Sequence, residues 1–381
     1  MRFLDRCTQK VVTYVRERVV FSAPGLTFPV AVRLLVRYRA HIEAKYFPRV
    51  LFILTASLAV SVLSLFDRLL CRPGVGSNAV ESQTWDAPAV FILGYWRSGT
   101  THLHQLLSLD PRFVTPTLFE ATVPQCYLAL DRLKGFISRL LPRTREYDAM
   151  AIDLDAPWED ETALFAMTGL SPYLGSMFPR AHQASDRFIT LEPLSEAELD
   201  QWKRAFVAFS RKLTSRRPGR LLYKSPTHTA RIALIRTVFP NAKFIHIARD
   251  PYEVFASNLR MMQVFGRQVQ LQDASDEDIE AYVLSRYETI YEKYVAHEAD
   301  LPSGNLAVAT YEALVAHPLE ELERLYTELD LGGWEAARPA VEAHLQAIRH
   351  YAPSRYPALA PEKKKIIQRR WGRFFSRWAY S

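Results

Sequence analysis

Between Phe91 and Leu107 the chain reads FILGYWRSGTTHLHQLL, a stretch whose residue types and spacing could cradle an anion. The apolar run Ala89-Val90-Phe91-Ile92-Leu93 predicts a buried strand, Gly94 a tight turn, and the spacing of Leu103, Leu106 and Leu107 a helix. Gly94 and Gly99 let the backbone turn sharply and come close to a phosphate or sulfate. The first unpaired N–H groups of the new helix point at it. The glycines have the spacing of a nucleotide-binding loop, G-x-x-x-x-G, but the lysine that should follow Gly99 is Thr100, and the cation sits earlier, at Arg97. Without that lysine, nucleoside triphosphate hydrolysis lacks its contact to the β- and γ-phosphates. Arginine still offers a planar fork of donors, and Ser98, Thr100 and Thr101 add hydroxyl and N–H groups. Taken alone, the glycine pair reads equally well as an ordinary strand-to-helix turn.

Such a loop needs a sheet to hold it, and residues 220–260 supply the pattern. Leu221-Leu222-Tyr223-Lys224 reads as a buried strand, Ser225-Pro226-Thr227-His228 as a turn opening a helix through Phe239, and Asn241 to Ala248 as a second strand. A further helix follows Arg249-Asp250-Pro251. Strand, helix, strand with short loops predicts parallel neighbours joined by a right-handed crossover. Lys224 and Arg249 then lie at carboxyl ends of strands, the edge where open α/β sheets bind ligands. Arg249 and Ser257 could face one phosphate, although Arg249-Asp250 also reads as a local ion pair.

Candidate proton acceptors are few. Glu120, in FVTPTLFEATVP, is either a general base beside the anion loop or an exposed carboxylate on a connection. His102, His104 and His228 are its substitutes, with His228 also reading as a capping-turn residue. Asp155, Glu159, Asp160 and Glu161 surround Trp158, and the last two suit the first turn of a helix. The apolar, aromatic stretch 170–179 either lines an acceptor pocket or fills core.

With 381 residues, 49% of them hydrophobic, the chain has material for a large folded domain. Three separated cysteines, Cys7, Cys71 and Cys126, indicate neither a zinc site nor a disulfide framework. The net charge of +7 resides in residues 1–72, where twelve Lys/Arg face four Asp/Glu. The remainder is near neutral, which argues against nucleic acid. A basic, apolar arm points to an anionic membrane surface instead. Within it Val50 to Phe66 is seventeen residues without a charge. As a helix it would be roughly 25 Å long, a little short of the ~30 Å hydrocarbon core. It reads as an interfacial helix, a single span, or a helix packed on the body. A span would put the body outside the cytoplasm by the charge rule. Residues 72–89, rich in Pro and Gly, form a linker, with the boundary near 86.

Taken jointly, GYWRSGTT, the Lys224 strand, RDPYEVFAS and ATYEALVAHP resemble the sulfotransferase superfamily that uses 3′-phosphoadenosine 5′-phosphosulfate (PAPS), across most of residues 88–330. The loop looks like that of the branch carrying arginine, as in protein-tyrosine sulfotransferases, and the arm and closing WGRFFSRWAY resemble a bacterial membrane-associated subgroup. The resemblance implies a three-layer, P-loop-like α/β fold with a central parallel sheet flanked by helices. A helical arm would cover residues 1–86 and the catalytic domain 87–381. It implies donor contacts from Arg97, Ser98, Gly99, Thr100, Thr101, Arg249, Ser257 and Tyr311, and catalytic roles for Arg97, Lys224 and Glu120. Lys363, Lys364 and Lys365 are the only basic candidates for a C-terminal loop over the donor, and otherwise belong to a solvated or membrane-facing tail.

The expected reaction moves SO₃ in line from PAPS to a lipid, quinol, sugar or phenol hydroxyl, at a membrane, with the catalytic domain cytoplasmic. The transferring group bears less charge than a phosphoryl group, so fixed cations serve and no metal is expected. The rival readings are a P-loop nucleotide kinase and a membrane scaffold that binds 3′,5′-diphosphoadenosine without chemistry.

Overall fold

The computed structural model describes residues 25–70, 85, 87–146, 150–349 and 356–380. The first 24 residues of the arm, Cys7, Cys71 and linker residues 72–84 lie outside the described residues.

Strand β1 (Val90–Leu93) is buried on both faces, as its unbroken apolar run requires. The other strands are β2 (Phe113–Val114), β3 (Arg220–Lys224), β4 (Lys243–Ala248) and β5 (Leu306–Thr310). They form one parallel sheet in the order β2-β3-β1-β4-β5. Alternation along β1 divides the core into two layers. Phe91 and Leu93 join Tyr223, Phe244, Trp202 and Phe206 on one face. Val90 and Ile92 join Leu222, Ile245, Leu103 and Leu106 on the other. The sheet thus lies between two helical layers, the expected α/β architecture.

Register brings the chemistry to one edge. Ile92 pairs with Lys224 and Leu93 with His246, so the turn at Gly94, the end of β3 and the end of β4 meet where β1 separates two oppositely wound halves. One local boundary differs from expectation: β4 starts at Lys243 rather than Asn241. The expected turn after Lys224 is a 3₁₀ turn, Pro226–Ala230, and the helix that follows is Ile232–Val238; side chains of 225–231 are bonded to a neighbouring carboxylate pair described below.

The arm contributes two helices, α1 (Phe28–Arg37) and α2 (Phe47–Leu70). α2 is longer than the uncharged run and turned inside out. Its Arg49, Ser57, Ser64 and Asp67 are buried, whereas Leu51, Leu58, Leu65 and Leu69 are 53% to 82% exposed. Both ends are fastened to the body. Arg49 donates to the carbonyl oxygens of Gln270 and Arg267. Asp67 accepts from the N–H groups of Leu128 (2.7 Å) and Ala129 (3.0 Å) and pairs with buried Lys212. Its two ends are therefore fixed to the domain through Arg49 and Asp67 while leucines between and beside them face outward.

One buried group gives the fold a pH dependence. His246 on β4 has neither ring nitrogen bonded and stacks between Tyr294 and Trp378, at 4.4 and 5.1 Å. Burial, with Arg377 adding repulsion, pushes its imidazole down to about 3. The unfolded chain takes up that proton below the ordinary value near 6.5, while the folded chain refuses it until about 3. Stability is therefore complete above pH 6.5 and falls by roughly 1.4 kcal/mol per pH unit below it. Between pH 7 and 5 this histidine should cost about 2 kcal/mol, and His246→Phe should flatten that limb in urea titrations at the two pH values.

Candidate active site

The anion loop is built on three close approaches. At Gly94, with φ +143°, a Cβ would meet the Ile247 carbonyl oxygen at 2.7 Å, so β1 can turn only without a side chain there. Its N–H donates to Thr229 Oγ1 at 2.7 Å, and the Thr229 hydroxyl returns to the Gly94 carbonyl at 3.2 Å. At Gly99, with φ +98°, a Cβ would lie 2.4 Å from the Tyr311 ring. Helix α3 (Thr100–Leu107) starts directly afterwards, and Leu103, Leu106 and Leu107 are buried as their spacing predicted.

Arg97 adopts φ +72°, a left-handed conformation costly for a residue with a Cβ. Two neighbours hold it. Arg249 Nη1 donates to its carbonyl oxygen at 3.0 Å, and its own Nε donates to Ser257 Oγ at 2.9 Å. Arg249 in turn lies over the Tyr311 ring, 4.4 Å from the centroid. The loop cation, the β4-end cation, the helix serine and the β5-end tyrosine thus form one cluster, although 214 positions separate Arg97 from Tyr311 in the chain. Ser98 is buried with its hydroxyl on the Tyr95 carbonyl, which leaves its side chain within the turn.

Lys224, 3% exposed at the end of β3, donates to Glu159 Oε1 at 2.7 Å and lies 3.4 Å from Thr101 Oγ1. Glu159 also accepts from the Tyr173 hydroxyl. Burial, reinforced by the Glu159 charge, holds that phenol well above its ordinary value, so it stays a donor. Glu159 is the N-cap residue of α4 (Asp160–Thr168). The next two carboxylates do sit in the first helical turn, and they also lock the chain after β3. Asp160 accepts from Ser225 Oγ at 2.9 Å and lies 2.6 Å from His228 Nε2. Glu161 accepts from Thr227 Oγ1 at 2.9 Å and from Arg231 Nη1 at 2.5 Å.

Glu120 stands apart from this group. Its carboxylate closes a capping box with Thr117 and accepts from Arg217 Nη2 at 2.6 Å. Among the substitutes, His104 is fully buried 2.6 Å from Thr115 Oγ1, and burial, with Lys224 adding repulsion, keeps it neutral by pushing it well below its ordinary value. His228 is committed to Asp160, and His102 is likewise pushed down by burial. Sequence reading passed over Glu159 because its two successors explained the acidic run as a helix start. The signal was the preceding Pro157-Trp158, which puts Glu159 at the cap instead of inside the turn.

A cavity of about 330 Å³ opens from Tyr95, Trp96, Thr101, Lys224 and Glu159. Glu120 and the three histidines are absent from its walls. Phe119, Ile137, Trp158, Met261 and Phe265 are among its apolar lining, and Tyr173 and Met177 place part of the 170–179 stretch there while Leu174 and Phe178 fill core. At the C terminus, Tyr356 reaches Ser257 Oγ at 3.0 Å. Lys363 instead pairs with Glu280, and Lys364 lies over Tyr252, 5.3 Å from the ring centroid. Among the described residues, no three His, Cys, Asp or Glu side chains gather as a metal site.

Residues 88–336 match the sulfotransferase family. The omega-hydroxy-beta-dihydromenaquinone-9 sulfotransferases Stf3 of Mycobacterium bovis and Mycobacterium tuberculosis are each 32% identical over 93% of this chain and 90% of their own. Among solved structures, sulfotransferase STF9 from Mycobacterium avium superposes with a TM-score of 0.68 at 17% identity, covering 94% of this chain and 97% of its own. STF1 from Mycobacterium tuberculosis superposes at 0.61, also at 17% identity, covering 91% and 92%. These two share the fold. On the family match and on relatives alike over nearly their whole length, this chain belongs to the sulfotransferase family and is an enzyme that transfers a sulfuryl group to a hydroxyl.

Proposed function

We propose that the sulfuryl donor is PAPS and that the acceptor is a long apolar alcohol, a hydroxylated isoprenoid quinone, met at the cytoplasmic face of a membrane. One observation carries this reading: the Arg97–Ser257–Arg249 cluster is continuous, through Thr101, with a lysine–carboxylate pair that opens on an apolar cavity. Support for the acceptor comes from that lining and from the hydroxylated menaquinone in the name of the 32% identical relatives.

The residues suit the donor. Two guanidinium groups, a serine hydroxyl and the open N–H groups of a helix start converge, and Gly99 leaves no Cβ between the loop and Tyr311. Bound PAPS supplies a sulfur carried on a phosphate oxygen and open to in-line displacement. Arg97, the N–H groups of Gly99 and Thr100, and the Thr101 hydroxyl would hold its 5′ oxygens, whereas the Ser98 N–H is already bonded to the Tyr95 carbonyl at 3.1 Å. Arg249 and Ser257 would hold the 3′-phosphate, with Tyr311 bracing Arg249 from beneath. Lys224 would neutralise the oxygen left behind when the sulfur–oxygen bond breaks. Glu159, in the role first assigned to Glu120, would accept the proton as the acceptor oxygen bonds to sulfur. Tyr173 and Lys224 hold that carboxylate in place from two sides.

Transfer of radiolabelled sulfate from PAPS to a hydroxylated isoprenoid quinone tests the reading. Arg97→Ala should lower kcat/KM by about 10³ or more with an unchanged melting temperature. Wild-type turnover by that variant would remove the loop from the mechanism. Glu159→Gln should lower kcat by about 10² or more, with little effect on the KM for PAPS. Glu120→Gln, which keeps a capping side chain, should stay within a fewfold of wild type. The opposite ranking of these two variants would return the base to Glu120.

A further inference from the structure

Five exposed apolar residues of α2, Leu51, Leu58, Val62, Leu65 and Leu69, are separated by seven, four, three and four positions, which keeps them on one stripe, and Phe66 and Leu70, also exposed, widen it at the C-terminal end. Arg49, Ile53, Ser64 and Asp67 are buried on the opposite face. A helix crossing a bilayer would carry that second face into hydrocarbon as well, together with the Asp67–Lys212 pair and the body residues that Arg49 grips, at a cost the bilayer core imposes on every charge. A helix lying in the surface plane immerses the stripe alone.

The stripe continues toward the cavity. Asp67 caps the N–H groups of Leu128 and Ala129, so the Leu65–Leu69 end of α2 abuts the turn at 127–130. The chain then runs directly into Leu133 and Phe136, 52% and 61% exposed, while their neighbours Leu130 and Ile137 line the cavity. Exposed basic residues border these apolar ones: Arg68 on α2, Arg132 beside Leu133, and Arg139 and Arg143 after Phe136. The segment 131–146 holds five Lys/Arg against two acidic residues. Apolar residues edged by arginine complement an anionic lipid surface. The cavity, about 330 Å³, is at the small end for ligand pockets and has room for a head group and a short stretch of chain. The rest of a long apolar acceptor must remain outside, next to Leu133 and Phe136.

We infer that α2 is an in-plane membrane float, and that with Leu133 and Phe136 it seats the cavity's 130–141 wall on an anionic bilayer, so that the acceptor slides in sideways with its tail still in lipid. The contact with lipid stands on the stripe and its basic border; the sideways entry rests also on the acceptor proposed above.

Flotation of the full chain with phosphatidylcholine vesicles, with and without phosphatidylglycerol, tests the contact. The wild type should float with the anionic vesicles, and Leu58→Glu/Leu65→Glu should lose about tenfold or more of vesicle affinity at an unchanged melting temperature. Leu58→Gln/Leu65→Gln serves in its place if the charged pair does not fold. Radiolabelled transfer then compares a quinone alcohol embedded in vesicles with a short, water-soluble isoprenoid alcohol. The stripe variant should fall about tenfold or more on the first and keep its wild-type rate on the second. Wild type that stays with the soluble fraction, or a stripe variant that floats like wild type, overturns the proposal. So does a dimer in light scattering that the stripe variant dissolves, since a second copy would then cover the stripe. Stripe-dependent flotation with no transfer to either alcohol supports the lipid contact and overturns the acceptor reading alone.

Discussion

A single hydrogen bond, from the Arg249 guanidinium to the Arg97 carbonyl oxygen, ties together the ends of two adjacent parallel strands, and the site depends on it. It helps to hold Arg97 at φ +72°, a conformation that costs on the order of 1–3 kcal/mol and persists only when neighbours dictate it. It also keeps two cations side by side. Such an arrangement is unfavourable in an empty site and favourable when anionic oxygens enter, which is the sense in which a binding site is prepared in advance. The sheet makes this feasible because register, rather than side-chain contacts, sets where β1 and β4 end.

The parts of the fold that were legible in sequence are those where one local pattern is enough. β1 is an uninterrupted apolar run, α3 shows its buried face through Leu103, Leu106 and Leu107, and Thr100 in place of lysine argued against a kinase. The meeting of Arg97, Arg249, Ser257 and Tyr311 could be anticipated because each sits just past a strand or within two turns of the helix that follows. Glu159 was harder. Its two acidic successors have a complete local explanation, and its partnership with Lys224 spans 65 positions that no short-range pattern connects. The surroundings of Glu120 were equally hidden: its carboxylate satisfies a capping box that periodicity does not display. Tyr356 had no signal, since its meeting with Ser257 spans 99 positions that no short-range pattern connects.

α2 illustrates a different loss of information. Hydropathy averaged along a segment reports how apolar it is and nothing about which side faces the protein. Summed over its length α2 passes for a membrane span. Resolved by face, its buried Arg49 and Asp67 are its attachment and leucines such as Leu51, Leu58, Leu65 and Leu69 are its exterior. The charges at its two ends, Arg49 and Asp67, looked like brackets around an uncharged run and serve as fasteners.

The carboxylates Asp160 and Glu161, bonded to Ser225, Thr227, His228 and Arg231, make the chain behind Lys224 a buried, densely bonded polar lattice. Ile137 and Met261 stand in the wall as apolar side chains, and apolar walls accept volume-conserving exchanges at little cost. The molecule is therefore divided into an engine that tolerates no retuning and a sleeve that can be recut. Lineages sharing this scaffold could trade one customer molecule for another by reshaping the sleeve while the engine passed unaltered between them.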